Sequence, residues 1–426
     1  MKRVLTCAGG LLLTVVFGSV AYGGAIDNKT NWSAEYIRTL NRNAATDYAD
    51  IAAYNPAGTV KLQDGFIING SAQYLKKNYK NNINGVSFES DEPSVVPGIF
   101  GVYNRDKWSV FGSVTVVGGG GKVDFPQGNF TTFGLGFTLL NMPTLACPPG
   151  TACTNLGSSK LTGESFYMGY TLGGAYEIND IVSVSVGLRY VDASKEAQGS
   201  VMLWDAGYAN SFTASVDYEE DADGWGGIFG INIAPNDKFN IGMRFETKTG
   251  LDFEATVKDG APILAGLGIV NGQSNPRDLP ALFAFGVSYW ITPKLRIETD
   301  YTQYLNTNAD WGGDEDLVND GYDLGITLEY HFNDSWLASI GYLRTVLGVD
   351  PDEMLPENPE LDANTIGAGI AYAFNEKFHT NVSIGNTFYG PLDESDSFTL
   401  QSTPPITVEY EKNVFFLALG LEYRFL

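Results

Sequence analysis

The stretch Tyr322-Asp323-Leu324-Gly325-Ile326-Thr327-Leu328-Glu329-Tyr330-His331-Phe332 puts an aromatic or aliphatic side chain at every second position, with small or polar residues between. Successive side chains of a strand point to opposite faces, so this segment has one apolar face and one polar face. The same rhythm runs through residues 182–190, 239–246, 295–302 and 415–425. In a soluble sandwich the apolar face would be the interior. In a membrane barrel it meets lipid, and the polar face lines the lumen. The period alone does not separate these two.

The connections do. Short turns recur at Asn104-Arg105-Asp106, Asn179-Asp180, Pro235-Asn236-Asp237, Thr292-Pro293-Lys294, Asn333-Asp334 and Asn375-Glu376-Lys377. Each joins alternating segments of about 10 to 14 residues, long enough to cross a bilayer when tilted. Between the hairpins lie long connections near residues 79–92, 118–162, 196–221, 250–278, 306–320, 348–361 and 390–406. Six tight turns alternating with seven long connections require fourteen strands, with both barrel ends on the tight-turn side, which in such barrels is the periplasm. A sandwich has no reason to gather its short turns at one end. The predicted fold is all-β: a transmembrane antiparallel β-barrel in a bacterial outer membrane. The chain closes Tyr423-Arg424-Phe425-Leu426, with Phe425 in the lipid phase where the outer-membrane assembly machinery reads a terminal aromatic, displaced by one residue.

Composition agrees. Acidic residues number 50 against 26 basic ones, a net charge of -24, which excludes a binder that neutralises nucleic-acid phosphates. With 44% hydrophobic and 18% charged residues, the 426-residue chain is too apolar to be disordered. The two histidines, His331 and His379, fall on the lumen phase, which leaves little for a metal centre or a catalytic triad. No cofactor, metal or enzymatic activity is expected. The carboxylate-rich segment 310–316 lacks the ligand order of a calcium loop. It reads as a solvated acidic surface, or as one bridged by divalent ions to lipopolysaccharide.

Lys2 and Arg3 precede an apolar run that ends in small residues, the layout of a signal peptide over 1–23 with cleavage between 23 and 25. In an exported chain the spacing of Cys147 and Cys153 reads as a small disulfide loop. Residues 24–63 do not alternate. A short helix is predicted over 31–40, capped by Asn31 or Ser33, and another helical turn over 47–53 leads to Asn55-Pro56-Ala57. Such a segment can lie in the periplasm or in the lumen, and Trp32, Tyr36, Tyr48 and Tyr54 favour burial as a plug. The barrel then occupies 64–426.

These features resemble the long-chain fatty acid (FadL-type) outer-membrane transporters. The resemblance is carried by Asn55-Pro56-Ala57 ahead of the first strand, Trp225-Gly226-Gly227, Leu279-Pro280 and Ala371-Tyr372-Ala373-Phe374-Asn375, and covers essentially the whole mature chain. It implies passive uptake of hydrophobic molecules, fatty acids or hydrocarbons. Ligand would be captured by apolar outer loops, passed to a lumen pocket, and released through a lateral opening near strand 3, gated by a hatch at Asn55, Pro56 and Ala57. The chain would act as a monomer, in contact with membrane lipid and lipopolysaccharide.

Candidate residues follow. Gly118-Gly119-Gly120-Gly121 ends the third strand, and reads either as a bend that opens the wall or as a flexible start to the next loop. Phe125, Phe130, Phe133 and Phe137, with Ile263, Leu264, Leu267 and Ile269, form either a greasy capture patch or a seal over the barrel top. Burying a CH₂ group contributes about 0.8 kcal/mol, so affinity should come from apolar lining and charge should set headgroup choice. Arg189, Lys195, Arg244 and Lys248 are candidate headgroup contacts; Arg189, Arg244 and Lys248, with Arg296, read alternatively as members of ion pairs along the wall with Glu246, Glu298 or Asp300. The competing class is a general polar porin, or a structural barrel with a passive plug.

Overall fold

The computed structural model describes residues 33–83, 85–141, 147–148, 151–349, 360–390, 398–400 and 406–425. The expected signal peptide, Trp32 and most of the 390–406 connection lie outside these residues.

Strand β1 (Gly65–Ile83) folds back through β2 (Val86–Ser90) and β3 (Pro93–Arg105), and a tight turn leads to β4 (Trp108–Phe125). Helix α2 (Phe130–Asn141), preceded in the plug by α1 (Ala34–Thr39), stands between β4 and the long strand β5 (Cys153–Glu177). Then come β6 (Val182–Asp205), β7 (Ser211–Asn236), β8 (Phe239–Glu246) and β9 (Asp252–Asp259). Helix α3 (Ala261–Gly266) precedes β10 (Ser274–Pro276), β11 (Ala281–Thr292) and β12 (Leu295–Leu305). The wall finishes with β13 (Gly321–His331), β14 (Trp336–Val346), β15 (Ala363–Ala373), β16 (Phe378–Tyr389), β17 (Phe398–Leu400) and β18 (Ile406–Phe425). Four positions in the wall are each shared by two consecutive strands (β2 with β3, β8 with β9, β10 with β11, β16 with β17), so these strands form fourteen antiparallel staves. β18 pairs with β1 from Phe66↔Phe425 to Ile83↔Val408, which closes the barrel.

All six predicted tight turns join strands at one end. The outer face is apolar and exposed, as at Leu324, Ile326, Leu328 and Leu417, Leu419, Leu421, while their neighbours Thr327, Glu329, Ala418 and Glu422 are buried inside. Apolar side chains facing outward over a whole wall are the solution for lipid, not for water. Among the described residues no helix is long and apolar enough to cross a membrane.

The connection expected over 196–221 is different. β6 and β7 continue through it, leaving only residues 206–210 as a turn. Inward Val201, Leu203, Ala214 and Val216 keep the period of two and bury against α2 and α3, which sustains the pairing. On the opposite face of this extension Asp192 faces Asp223, Glu196 faces Glu219 and Asp221 faces Glu254, so the acidic surplus lies on a sheet as well as in loops.

Candidate functional site: the plugged lumen and its wall

Ser33 caps α1, its hydroxyl accepting from the Tyr36 amide at 2.9 Å. From there to Leu62 the segment is held by side chains from around the barrel. Asn69 and Asn381 both donate to Glu35 Oε1 at 2.9 Å, and Arg38 forms a buried ion pair with Glu329. Asp300 accepts the amides of Arg42 and Asn43 at 2.7 and 2.8 Å, Glu298 accepts that of Ala44, and Glu422 that of Ala49. Inside the segment Arg42 is clamped between Asp47 and Asp50 at 2.7 and 2.6 Å. Contacts to strands from β1 through β18 place these residues within the ring of staves.

The wall makes room for this backbone by omitting side chains. A β-carbon on Gly242 would stand 1.7 Å from Asn43 O, on Gly341 1.9 Å from Thr39 O, and on Gly367 2.1 Å from Ile37 O. Two pairs are in register, Gly242↔Gly286 and Gly341↔Gly367, and Gly325 lies between them across Asp300, so they form an arc along which the plug chain lies. Asn55 donates to Ala45 O at 3.0 Å and to Asn232 Oδ1 at 2.8 Å, joining two arms of the plug to β7. Ala57 O accepts from Ser183 Oγ at 2.6 Å, and Pro56 packs near Gly230.

One sector of the inner wall, from β1 to β9, carries an apolar cluster that meets the plug. Ile51, Ala52 and Tyr54 of the plug share one cluster with Phe100, Phe111, Val117, Val191, Ala193 and Phe253. Lys195 Nζ lies 3.9 Å from the Phe253 ring centroid and 6.0 Å from that of Tyr167, and these two rings are 5.6 Å apart. Among the described residues no carboxylate is within ion-pair distance of Lys195. The other candidate headgroup contacts are paired: Arg189 and Arg244 with Glu246 at 2.6 and 3.0 Å, and Lys248 with Asp278 at 2.7 Å. Buried and partnered, Arg189 and Arg244 belong to the wall network that the sequence offered as the alternative.

Gly118–Gly121 fall inside β4, not at a loop start. Here the β4–β5 register slips: Val116 faces Met168, Gly118 faces Tyr167, and Gly121 faces Ser165. Gly119 and Gly121 have φ of 82° and 70°, which side chains disfavour. Alternation fails with the register, so Val116 and Val117 are both buried, on two different inner clusters. This is a wall bulge, placed directly beside Tyr167.

The loop residues form a cap. Asn129 and Thr132 exchange bonds at the start of α2, Asn129 Oδ1 accepting from Thr132 N at 3.1 Å and Thr132 Oγ1 from Asn129 N at 2.9 Å. Phe125, Phe130, Ile263, Leu264, Leu267 and Ile269 are buried, Phe133 is half-buried, and only Phe137 is 42% exposed. Ile263, Leu264, Leu267 and Ile269 pack with Leu135 and Leu139 of α2 and with the extended strands, and the Phe133 and Phe137 rings meet edge to face at 4.9 Å. Cys147 and Cys153 are joined in a disulfide at the edge of this cap. His331 lies 3.0 Å from Glu329 Oε1, and His379 stacks edge-on with Tyr48, both as wall residues. Among the described residues no group of three His, Cys, Asp or Glu is arranged to hold a metal.

Sequence reasoning missed Tyr167, Phe253, Lys77 and the glycine arc. Phase alone could have found the glycines, since Gly242 and Gly325 stand on the inward face of alternating strands.

No protein-family model and no curated protein matches the chain. Among solved structures it is similar to a Pseudomonas aeruginosa FadL homologue, with 14% identity over 94% of this chain and 100% of that one and a TM-score of 0.69. It is also similar to the P. putida toluene transporter TodX, at 14% identity over 90% and 97% with a TM-score of 0.61. The monoaromatic hydrocarbon channel CymD aligns at 12% identity over 98% and 99%, with a TM-score of 0.55. The chain has the FadL-type barrel fold.

Proposed function

We propose that this chain is an outer-membrane transporter for passive uptake of hydrophobic molecules, with both ends of its barrel in the periplasm and residues 24–63 acting as a hatch. The observation that carries this reading is the pairing of a plugged lumen with an apolar inner lining beside the β4 bulge. A polar porin has no use for either. Molecules would enter beneath the cap of α2 and α3, rest against Phe253, Tyr167 and Val191, and leave sideways at Gly118–Gly121.

The pins between plug and wall suit a hatch that shifts locally, with Asn55, Pro56 and Ala57 at its contact with β6 and β7. Long-chain fatty acids and monoaromatic hydrocarbons both suit such a lining, and Lys195 offers a carboxylate its counter-charge. A structure of the protein soaked with a long-chain carboxylate tests the site. Density against Phe253, Tyr167 and Lys195 supports it, and density confined to the outer belt rejects it.

A further inference from the structure

Lys77 is 3% exposed on the inner face of β1, and its ammonium donates to main-chain carbonyls of the bulge: Gly120 O at 2.7 Å, and Lys122 O. It stands where the second stave is broken, since Tyr79 faces Ser90 at the end of β2 and Lys76 faces Pro93 at the start of β3. On the far side of that stave, β3 and β4 pair only from Gly98↔Thr115 to Arg105↔Trp108. Residues 93–97 and 116–121 therefore meet without a ladder. Pro93 and Pro97 have no amide hydrogen with which to build one.

Side chains span the seam instead. Ser94 Oγ accepts the Lys122 amide at 3.3 Å, Ser90 Oγ accepts the Asp124 amide at 2.9 Å, and Lys77 supplies the remaining bonds. Ser94 is also the group that a β-carbon on Gly121 would strike, at 2.4 Å from Oγ. Two apolar clusters reach the seam, one through Val116 and Val96, the other through Val117 and Tyr167.

We propose that Lys77 is the latch of this seam, released at the exit by molecules carrying an anionic head, whereas Lys195 acts earlier, in the lumen. Engaged with Gly120 and Lys122, it holds the bulge against β1 and β3. A carboxylate arriving along the apolar lining competes for the ammonium, because an ion pair outbids neutral carbonyls in a dry site, and the bulge is released. A neutral hydrocarbon has nothing to offer the ammonium and leaves the latch engaged. Lys412, Glu164 and Glu92 are the other charged groups acting on Lys77. Lys412 is drawn over the Tyr79 and Tyr389 rings at 5.0 and 4.5 Å. The idea rests on the transporter reading of the lumen.

The test reads the seam without transport. Val96→Cys is introduced into the full chain in lipid vesicles, and its labelling by a lipid-soluble maleimide is timed with oleate, with hexadecane, or with neither. The latch predicts at least fivefold faster labelling with oleate and no change with hexadecane. Adding Lys77→Met should give fast labelling under all three conditions, while Lys77→Arg restores the oleate response; heat-shifted gel mobility confirms that each variant is a folded barrel. Labelling indifferent to oleate with Lys77 present, or unchanged in Lys77→Met, overturns the latch. If labelling responds but cells bearing the protein take up nothing, the transport reading fails and the latch stands. Uptake without a labelling response is the converse.

Discussion

The carbonyl oxygen of Thr39 lies 1.9 Å from the place where a β-carbon on Gly341 would stand. The end of the plug helix α1 and a wall strand are thus in backbone contact, and the obstacle to any side chain is main chain rather than a flexible tip. Gly341→Ala is predicted to cost about 1–3 kcal/mol, taken from plug docking rather than from the barrel. Planar-bilayer recordings should show a raised basal conductance, with heat-shifted gel mobility unchanged. Gly70→Ala, where nothing lies within 4 Å, should leave both as they are.

Arg38 and Glu329 form a buried pair across the plug–wall boundary, and Glu329 also receives Arg296 at 3.3 Å. Removing one member of such a pair strands a charge, at about 3–5 kcal/mol. Glu329→Gln should therefore speed amide hydrogen exchange in α1 while β13 and β14 keep their protection. Equal protection in α1 would show that the pair does not hold the plug.

Lys195 should discriminate ligands by headgroup. A hydrogen bond to a charged group contributes about 1.5–3 kcal/mol, so Lys195→Met should weaken binding of a long-chain carboxylate roughly ten- to a hundredfold. Binding of a neutral aromatic hydrocarbon should change little, since Phe253 and Tyr167 remain. Equilibrium binding to the purified protein in detergent separates the two.

Leu264, fully buried, ties α3 to the extended strands. Leu264→Ala should cost about 2–5 kcal/mol, spent on the cap. Trypsin should then cut within 250–278 at concentrations that leave the parent intact, and uptake at low substrate concentration should fall first.

The barrel was legible because lipid enforces a strict contrast between faces: the alternation at 322–332 reappears as β13, and Pro235-Asn236-Asp237 as the β7–β8 turn. Where outward lipid gives way to water, the contrast no longer marks a strand's end, and residues 196–205 looked like loop although β6 continues through them. Ser33 was readable as a cap because its chemistry is local. The Lys195–Phe253 contact joins β6 to β9 and was not, since only the closed ring of staves brings them together. Lys77 gave no sign of its own. Its role depends on a register slip that the glycine run permits but does not specify.

Uptake of radiolabelled oleate and of radiolabelled toluene by cells with and without the protein tests the central claim most directly. The account predicts that cells carrying it take up at least one of the two several-fold faster, and that the gain survives an excess of small polar solutes. Equal rates in both strains for both compounds would contradict it.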